Sequence, residues 1–158
     1  MPKKSLQDEL QDYMALFVAL KDTVDEMPHD LLMKRPEQDT WSIKELICHL
    51  VDTELVTVTR MKSVIAEDNP TLMKFNREKW AEKLNYMEWD LKENILLFGL
   101  SRSTMAGILN NLPAAAWKRT GNHEEKGTLT LRNLLEESNH HCKEYLAHIV
   151  ANKMKLGK

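Results

Sequence analysis

The sequence lacks several features that mark other classes of protein. No apolar run approaches the roughly 20 residues needed to cross a bilayer, and the opening MPKKSLQDELQDY has no apolar export-signal core. The two cysteines, Cys48 and Cys142, form no CxxC pair and lie within helical patterns, which argues against a disulfide framework. We therefore expect a cytoplasmic protein whose two thiols are buried and reduced.

An excess of charge of one sign is also missing. The formal net charge is −2, with acidic and basic residues intermixed, whereas nucleic-acid-binding proteins usually carry a basic patch. The sequence contains no internal repeat, phosphate-binding loop or G-x-S-x-G motif. These absences predict neither a nucleic-acid nor a membrane partner. A chain of 158 residues fits one domain, residues 1–158, that is large enough to bury a substantial core.

Four segments show helical apolar spacing, and in the first and third the gaps alternate between four and three, the spacing of one helix face. Ser5 is a candidate N-cap for the first segment, and Ser42 with Glu45 forms an S-x-x-E capping box at the second. Pro28, Asn69–Pro70 and Pro113 end the first three segments. The pattern predicts helices over 5–27, 43–66, 89–112 and 131–152.

The connections between these helices are unequal. Residues 70–87 read as irregular chain with a short helix around NREKWAEKL, and they exceed the two to eight residues usual between bundle helices. We expect a crossover pinned to the bundle by Phe75 and Trp80. Residues 113–130 read as a loop with turn signals at Gly121 and Gly127. The predicted fold is an all-α four-helix bundle with a long crossover between the second and third long helices.

Two histidines some ninety residues apart, His49 and His141, carry the main chemical information. Each is expected to face inward from a long helix, where an unpaired polar group costs about 1–3 kcal/mol. Neutral imidazole is a common metal ligand, so one shared ion would satisfy both. The alternative is that each histidine hydrogen-bonds a neighbouring group.

Several polar residues accompany this pair. Asp52 follows His49 by three positions, where it either orients the histidine or lies on a solvated flank. The last helix aligns Glu137, His141, Tyr145 and His148 at spacings of four, four and three, which indicates either a lined pocket or a wet helix edge. His123 lies in the last loop and matters only if that loop folds over the site.

Arg102 interrupts the apolar face of the third helix. The more usual arrangement lays the aliphatic stem of such an arginine along the core and lifts its head to water. The alternative is that the guanidinium reaches an internal carboxylate or an anionic ligand.

Four stretches in this order resemble the DinB/YfiT-like superfamily over nearly the whole chain. They are WSIKELICHLVDTE, the R-M…I-A-E-D-N-P-T-L…F…W-A segment, T-G-N-H-E-E-K-G-T-L-T-L and H-C-K-E-Y-L-A-H-I. The resemblance implies a four-helix bundle with a long crossover, often a homodimer. It also implies a divalent ion, Zn²⁺ or Ni²⁺, held by one histidine of the second helix and two of the last.

These ligand positions fall on His49, His141 and Tyr145. Tyrosine is not a usual ligand of Zn²⁺ or Ni²⁺, so we expect metal binding to be weak or absent, unless Glu137 or His148 substitutes. The family also implies transfer of a low-molecular-weight thiol, such as bacillithiol or mycothiol, to a small electrophile, or a hydrolase reaction. Two hypotheses follow: a metal-dependent thiol S-transferase or hydrolase, and a non-catalytic binding or scaffold bundle with a degraded metal site.

Overall fold

The computed structural model describes residues 2–157, and side-chain caps set where its long helices begin. Ser5 accepts a hydrogen bond from the backbone N–H of Asp8, and Ser42 and Glu45 form the expected reciprocal capping box. Asp90 accepts from Glu93 N–H in the same way. The four long helices are α1 (Leu6–Asp25), α3 (Ile43–Ala66), α5 (Leu91–Leu109) and α6 (Leu131–Leu156). The predicted helices are confirmed, although α6 extends to Leu156, which packs against the core.

The long helices form the predicted four-helix bundle, in which α3 and α1 each pack against α5 and α6. One core cluster joins the start of α3 and the start of α5 to the end of α1 and the end of α6. The other cluster joins the opposite ends of the same four helices. Helices α3 and α5 therefore run in the same direction. A chain leaving α3 must return along the bundle before α5 can begin, which is why the crossover is long.

The crossover, residues 67–90, contains the helix α4 (Arg77–Lys83) and a 3₁₀ turn at Tyr86–Glu88. A short helix α2 (His29–Met33), which the apolar spacing did not predict, follows α1. Its five residues are too few to show a helical period. Within residues 2–157, no helix is both long and apolar enough to cross a membrane.

The connection between α5 and α6 differs from the predicted loop. It contains a 3₁₀ turn at Ala114–Lys118 and an antiparallel pair of strands, β1 (Thr120–His123) and β2 (Gly127–Thr130). Each strand has four residues, too few for alternation to be visible in the sequence. The hairpin also holds the crossover: Leu72 N–H donates to Asn122 O, and Asn122 N–H donates to Pro70 O, both at 2.8 Å.

A buried polar network lies between the two core clusters. Arg102 is 1% exposed and donates from Nε to Glu54 at 3.1 Å, from Nη1 to the Tyr13 carbonyl at 2.6 Å and from Nη2 to Ser138 Oγ at 3.2 Å. The Tyr13 hydroxyl donates to the other oxygen of Glu54. The more usual arrangement, with the arginine head in water, is therefore wrong for Arg102. From α5, the guanidinium binds the Glu54 carboxylate of α3, a backbone carbonyl of α1 and a hydroxyl of α6. It therefore joins all four long helices.

Candidate functional site

His49 of α3 and His141 of α6 meet inside the bundle, because these helices pack side by side. Their Nε2 atoms lie 3.4 Å apart. His49 is 1% exposed, and His141 is partly buried. Thr53, one turn after His49, places its hydroxyl 3.3 Å from His49 Nε2. The two imidazoles share one site, as the inward-facing pattern of each helix predicts.

Aromatic rings enclose this histidine pair. The ring of His49 lies 5.3 Å from Trp41, 5.7 Å from Phe75 in a stacked arrangement, and 4.9 Å from Tyr145, measured between centroids. Tyr145 also lies 4.4 Å from His141, and Trp80 packs edge-on against Phe75. The crossover thus contributes directly to the site, with Phe75 covering His49 and Trp80 supporting Phe75.

The surroundings keep both imidazoles neutral. Burial, with smaller contributions from His141 and Arg77, lowers the pKa of His49 to about 3. Burial and the Arg77 charge lower the pKa of His141 to about 4. Near pH 7 each ring therefore has one nitrogen lone pair available to accept a proton or bind a cation. His49 Nδ1 is buried and has no hydrogen-bond partner within residues 2–157.

Arg77, the first residue of α4, brings a positive charge to the edge of the site. Its guanidinium carbon lies 4.8 Å from the Trp41 ring centroid and 5.8 Å from that of Tyr145. Sequence analysis did not select Arg77, because it lies in the irregular crossover, where no helical period assigns a direction to its side chain. Trp41 appears in the sequence analysis only as the first residue of the WSIKELICHLVDTE stretch.

Asp52 points away from the histidine pair. Its Oδ2 accepts a hydrogen bond of 2.6 Å from the Tyr86 hydroxyl, on the 3₁₀ turn of the crossover. Burial raises the pKa of Asp52, while the Tyr86 bond partly offsets that rise. No hydrogen bond within residues 2–157 joins Asp52 to either histidine. Neither alternative for Asp52, orienting His49 or lying on a solvated flank, describes this buried carboxyl, which instead anchors the crossover to α3.

The His123 ring caps its own hairpin turn, and within residues 2–157 no hydrogen bond joins it to His49 or His141. Its Nδ1 accepts from the backbone N–H groups of Glu125 at 3.1 Å and Lys126 at 3.2 Å. Its Nε2 lies 3.4 Å from an Arg60 nitrogen, and burial lowers its pKa. The turn itself occupies Nδ1, and Nε2 faces Arg60 of α3. A role for the His123 loop in covering the site stays a prediction.

The remaining residues of the α6 stripe border the pair without joining it. Glu137 lies 3.4 Å from Lys126 Nζ, and both side chains are substantially exposed. His148 is exposed, and its ring centroid lies 6.5 Å from that of Tyr145, on the far side from His141. The stripe is therefore packed among aromatic rings at His141 and Tyr145 and exposed to solvent at its two ends.

A family model described as the DinB superfamily matches residues 15–154. The chain belongs to the DinB superfamily. The resemblance seen in the four sequence stretches is therefore confirmed.

Individual relatives of this DinB-superfamily chain agree with that assignment. The chain is 26% identical over 144 residues to a candidate metal-dependent hydrolase of Oceanobacillus iheyensis, covering 91% of this chain and 81% of that protein. It is 27% identical over 131 residues to a protein of the same description from Halalkalibacterium halodurans, covering 83% and 74%. The solved structure of YfiT from Bacillus subtilis, described as a probable metal-dependent hydrolase with an unusual four-helix bundle topology, has the same fold. Its TM-score is 0.89 at 21% identity, over 99% of this chain and 93% of that chain.

The histidine pair has the spacing of two ligands of one ion. Two nitrogens bound at about 2.0–2.1 Å to a tetrahedral ion lie about 3.3–3.4 Å apart. The Nε2 atoms of His49 and His141 lie 3.4 Å apart, and both rings are neutral, as ligation requires. The separation is therefore the one expected for two ligands of a single ion.

The third ligand position that the family resemblance implies falls on Tyr145, which does not provide a suitable donor. Burial raises the pKa of this phenol, so near pH 7 it stays protonated, and a neutral phenol is a poor ligand. Within residues 2–157, no group of three or more His, Cys, Asp and Glu side chains is placed to hold a metal ion. His49 Nδ1 also has no partner of the kind that usually orients a metal-bound histidine. The DinB-superfamily chain supplies two of the three nitrogens that its family resemblance implies.

Proposed function

We propose that this DinB-superfamily chain is a divalent-metal-dependent hydrolase or thiol S-transferase that acts on a small electrophile. The observation that carries the proposal is the 3.4 Å separation of the His49 and His141 Nε2 atoms, both on neutral rings. Relatives from two organisms are described as candidate metal-dependent hydrolases, and this description supports the proposal. Zn²⁺ or Ni²⁺ would be held by the two histidines, with weak affinity because Tyr145 replaces a third imidazole.

The chain's own groups suit such a reaction. A bound divalent ion would lower the pKa of a water or thiol, which is the chemistry it supplies. Trp41, Phe75 and Tyr145 reduce the access of bulk water to the histidines and offer apolar surface to a substrate. The Thr53 hydroxyl, 3.3 Å from His49 Nε2, can hold a proton near that nitrogen.

The presence of Tyr145 at the third ligand position favours a second candidate function, a non-catalytic binding or scaffold bundle. In that case one imidazole donates from Nε2 to the other across 3.4 Å, and the pair is an ordinary buried hydrogen bond. The two candidate functions are distinguished by one measurement: an enzyme shows turnover that requires both histidines, and a binding bundle shows none.

The experiment measures turnover of 4-nitrophenyl acetate, and of 1-chloro-2,4-dinitrobenzene with cysteine or bacillithiol, with and without added Zn²⁺, Ni²⁺ or Mn²⁺. The variants are His49→Ala and His141→Ala. The matched control is His140→Ala, because His140 is the exposed neighbour of His141 on the same helix. Metal-dependent turnover that both variants lose and the control keeps establishes the enzyme. Turnover equal in all four proteins under every condition leaves the binding bundle.

We further propose that the protein is a cytoplasmic homodimer. Free buried cysteines, Cys48 and Cys142, suit a reducing compartment. Val18 of α1 and Leu96 and Leu100 of α5 are 51%, 61% and 57% exposed on two helices that pack together. Leu96→Lys combined with Leu100→Lys should convert a dimer into a monomer in light scattering. A wild-type protein that is monomeric at all concentrations contradicts the dimer.

A further inference from the structure

The Arg77 side chain occupies a position that folding alone does not require. Helix α4 buries none of its residues, and the Arg77 side chain is 49% exposed. Within residues 2–157, its one charged partner is the adjacent Glu78, whose carboxylate lies 3.4 Å from Nε and is itself 76% exposed. An exposed pair of this kind contributes roughly 0–1 kcal/mol. Within residues 2–157, most N–H groups of the Arg77 guanidinium are therefore available to bind another group.

Contacts with aromatic rings hold the Arg77 guanidinium beside the histidine pair. The guanidinium carbon lies over Trp41 and Tyr145, and each of these rings contacts His49. Arg77 thus presents a positive charge and planar N–H donors at the edge of the ring-lined site that contains both histidines.

We propose that Arg77 is a receptor for an anionic oxygen group, a carboxylate or phosphate, on a small substrate with an aromatic or apolar body. The proposal rests on the proposed function in placing that substrate at the His49–His141 site. The planar guanidinium matches the two oxygens of a carboxylate or phosphate, and stacking on Trp41 fixes its orientation. The apolar body would contact Phe75 and Tyr145.

The charge around the site also determines on which side an anion would bind. A cavity of about 400 Å³ also borders Trp41, but its lining includes the carboxylates of Asp39, Glu45 and Glu82. The one cationic side chain in that lining, Arg35, is already paired with Glu45. An anion would be repelled there, whereas the face of Trp41 under Arg77 is positive.

The test measures binding without metal or turnover, so that its outcome is independent of the hydrolase or transferase assay. Phenylacetate, phenyl phosphate and the neutral isostere phenylacetamide are titrated, in the presence of EDTA, while the indole N–H signal of Trp41 is followed by NMR. The variants are Arg77→Gln and Arg77→Lys, and the matched control is Lys79→Gln, an exposed cation on the same short helix. Circular dichroism and the midpoint of urea unfolding check that each variant is folded.

We expect the wild type and Lys79→Gln to bind at least one of the two anions with saturation, and phenylacetamide at least about 10-fold more weakly. Arg77→Gln should lose about 10- to 100-fold in affinity for the anion, the loss typical of a hydrogen bond to a charged group, while Arg77→Lys should lose less. Preference for phenylacetate or for phenyl phosphate identifies the source of the anionic group. Equal binding of phenylacetate and phenylacetamide, unchanged binding by Arg77→Gln, or no saturable binding of either anion would each overturn the proposal. Absence of metal-dependent turnover alongside charge-selective binding would instead count against the proposed reaction alone.

Discussion

Replacement of Tyr145 by histidine should convert a weak ion site into a strong one. Tyr145 lies one turn after His141, and its ring centroid is 4.4 Å from that of His141 and 4.9 Å from that of His49. An imidazole at this position begins from the same backbone and lies beside both existing nitrogens. It also needs no ionisation, whereas burial raises the pKa of the Tyr145 phenol and keeps it protonated.

The magnitude follows from the number of ligands. Structural zinc sites with four protein ligands bind with about 10–16 kcal/mol, or roughly 2.5–4 kcal/mol for each ligand. A third nitrogen should therefore lower the Zn²⁺ dissociation constant of Tyr145→His by about 10²- to 10³-fold relative to wild type. The positive charge of Arg77 opposes cation binding in both proteins, so it largely cancels in the comparison.

The assay is competition with a chromophoric zinc chelator at pH 7.5, with elemental analysis of protein purified without a metal-affinity column. Tyr145→Phe is the matched control, because it removes the hydroxyl, keeps the ring and should not tighten binding. Zinc bound by Tyr145→His no more tightly than by wild type would refute the reasoning. Stoichiometric Zn or Ni in the purified wild type would show instead that Tyr145 already completes the site.

Two further predictions concern stability. Arg102→Met leaves Glu54 as a buried carboxylate without its cation, and should lower the free energy of unfolding in urea by about 3–5 kcal/mol; a loss under about 1 kcal/mol would contradict the network. Burial raises the pKa of Glu45, but hydrogen bonds from Arg35 and Ser42 outweigh it and leave that pKa lowered. A lowered carboxyl pKa stabilises the fold above the unfolded value, and that stability is lost as pH falls through the folded value. Arg35→Met should therefore cost up to about 1 kcal/mol at pH 7, and this cost should shrink as pH falls through the folded pKa of Glu45; a cost that does not change with pH would exclude the ion pair as the cause.

The sequence predicted the helical frame better than the site, for a physical reason. Apolar period and capping depend on residues within one or two turns, so Ser42 with Glu45 was enough to place the start of α3. The inward direction of His49 and His141 followed from the same period. Partners across the fold are not encoded in that way. The pairing of Asp52 with Tyr86 and the stacking of Phe75 on His49 depend on how the crossover returns along the bundle.

Arg77 and His123 are two residues whose contacts could not be predicted from the sequence, for different reasons. Arg77 lies in a segment without period, and only its distances to Trp41 and Tyr145 reveal its place at the site. The sequence placed His123 in a loop without a defined direction, but the hairpin occupies its Nδ1 with two backbone N–H groups. Short-range turn geometry decided the role of His123, and long-range packing decided that of Arg77.

The crossover is fixed to the bundle at both ends of the segment that covers the histidines. Leu72 is hydrogen-bonded to the hairpin before it, and the Lys44 ammonium donates to the Met87 carbonyl after it, at 2.7 Å. The residues between these two anchors, including Phe75 and Arg77, can therefore change without altering the path of the four long helices. Under the proposed function, the helices supply the histidine ligands of the ion, and the anchored segment supplies side chains that would contact the substrate. Relatives that exchange this segment alone should exchange substrates while keeping the same centre, and a chimera made at the two anchors is the natural way to transfer one specificity onto another.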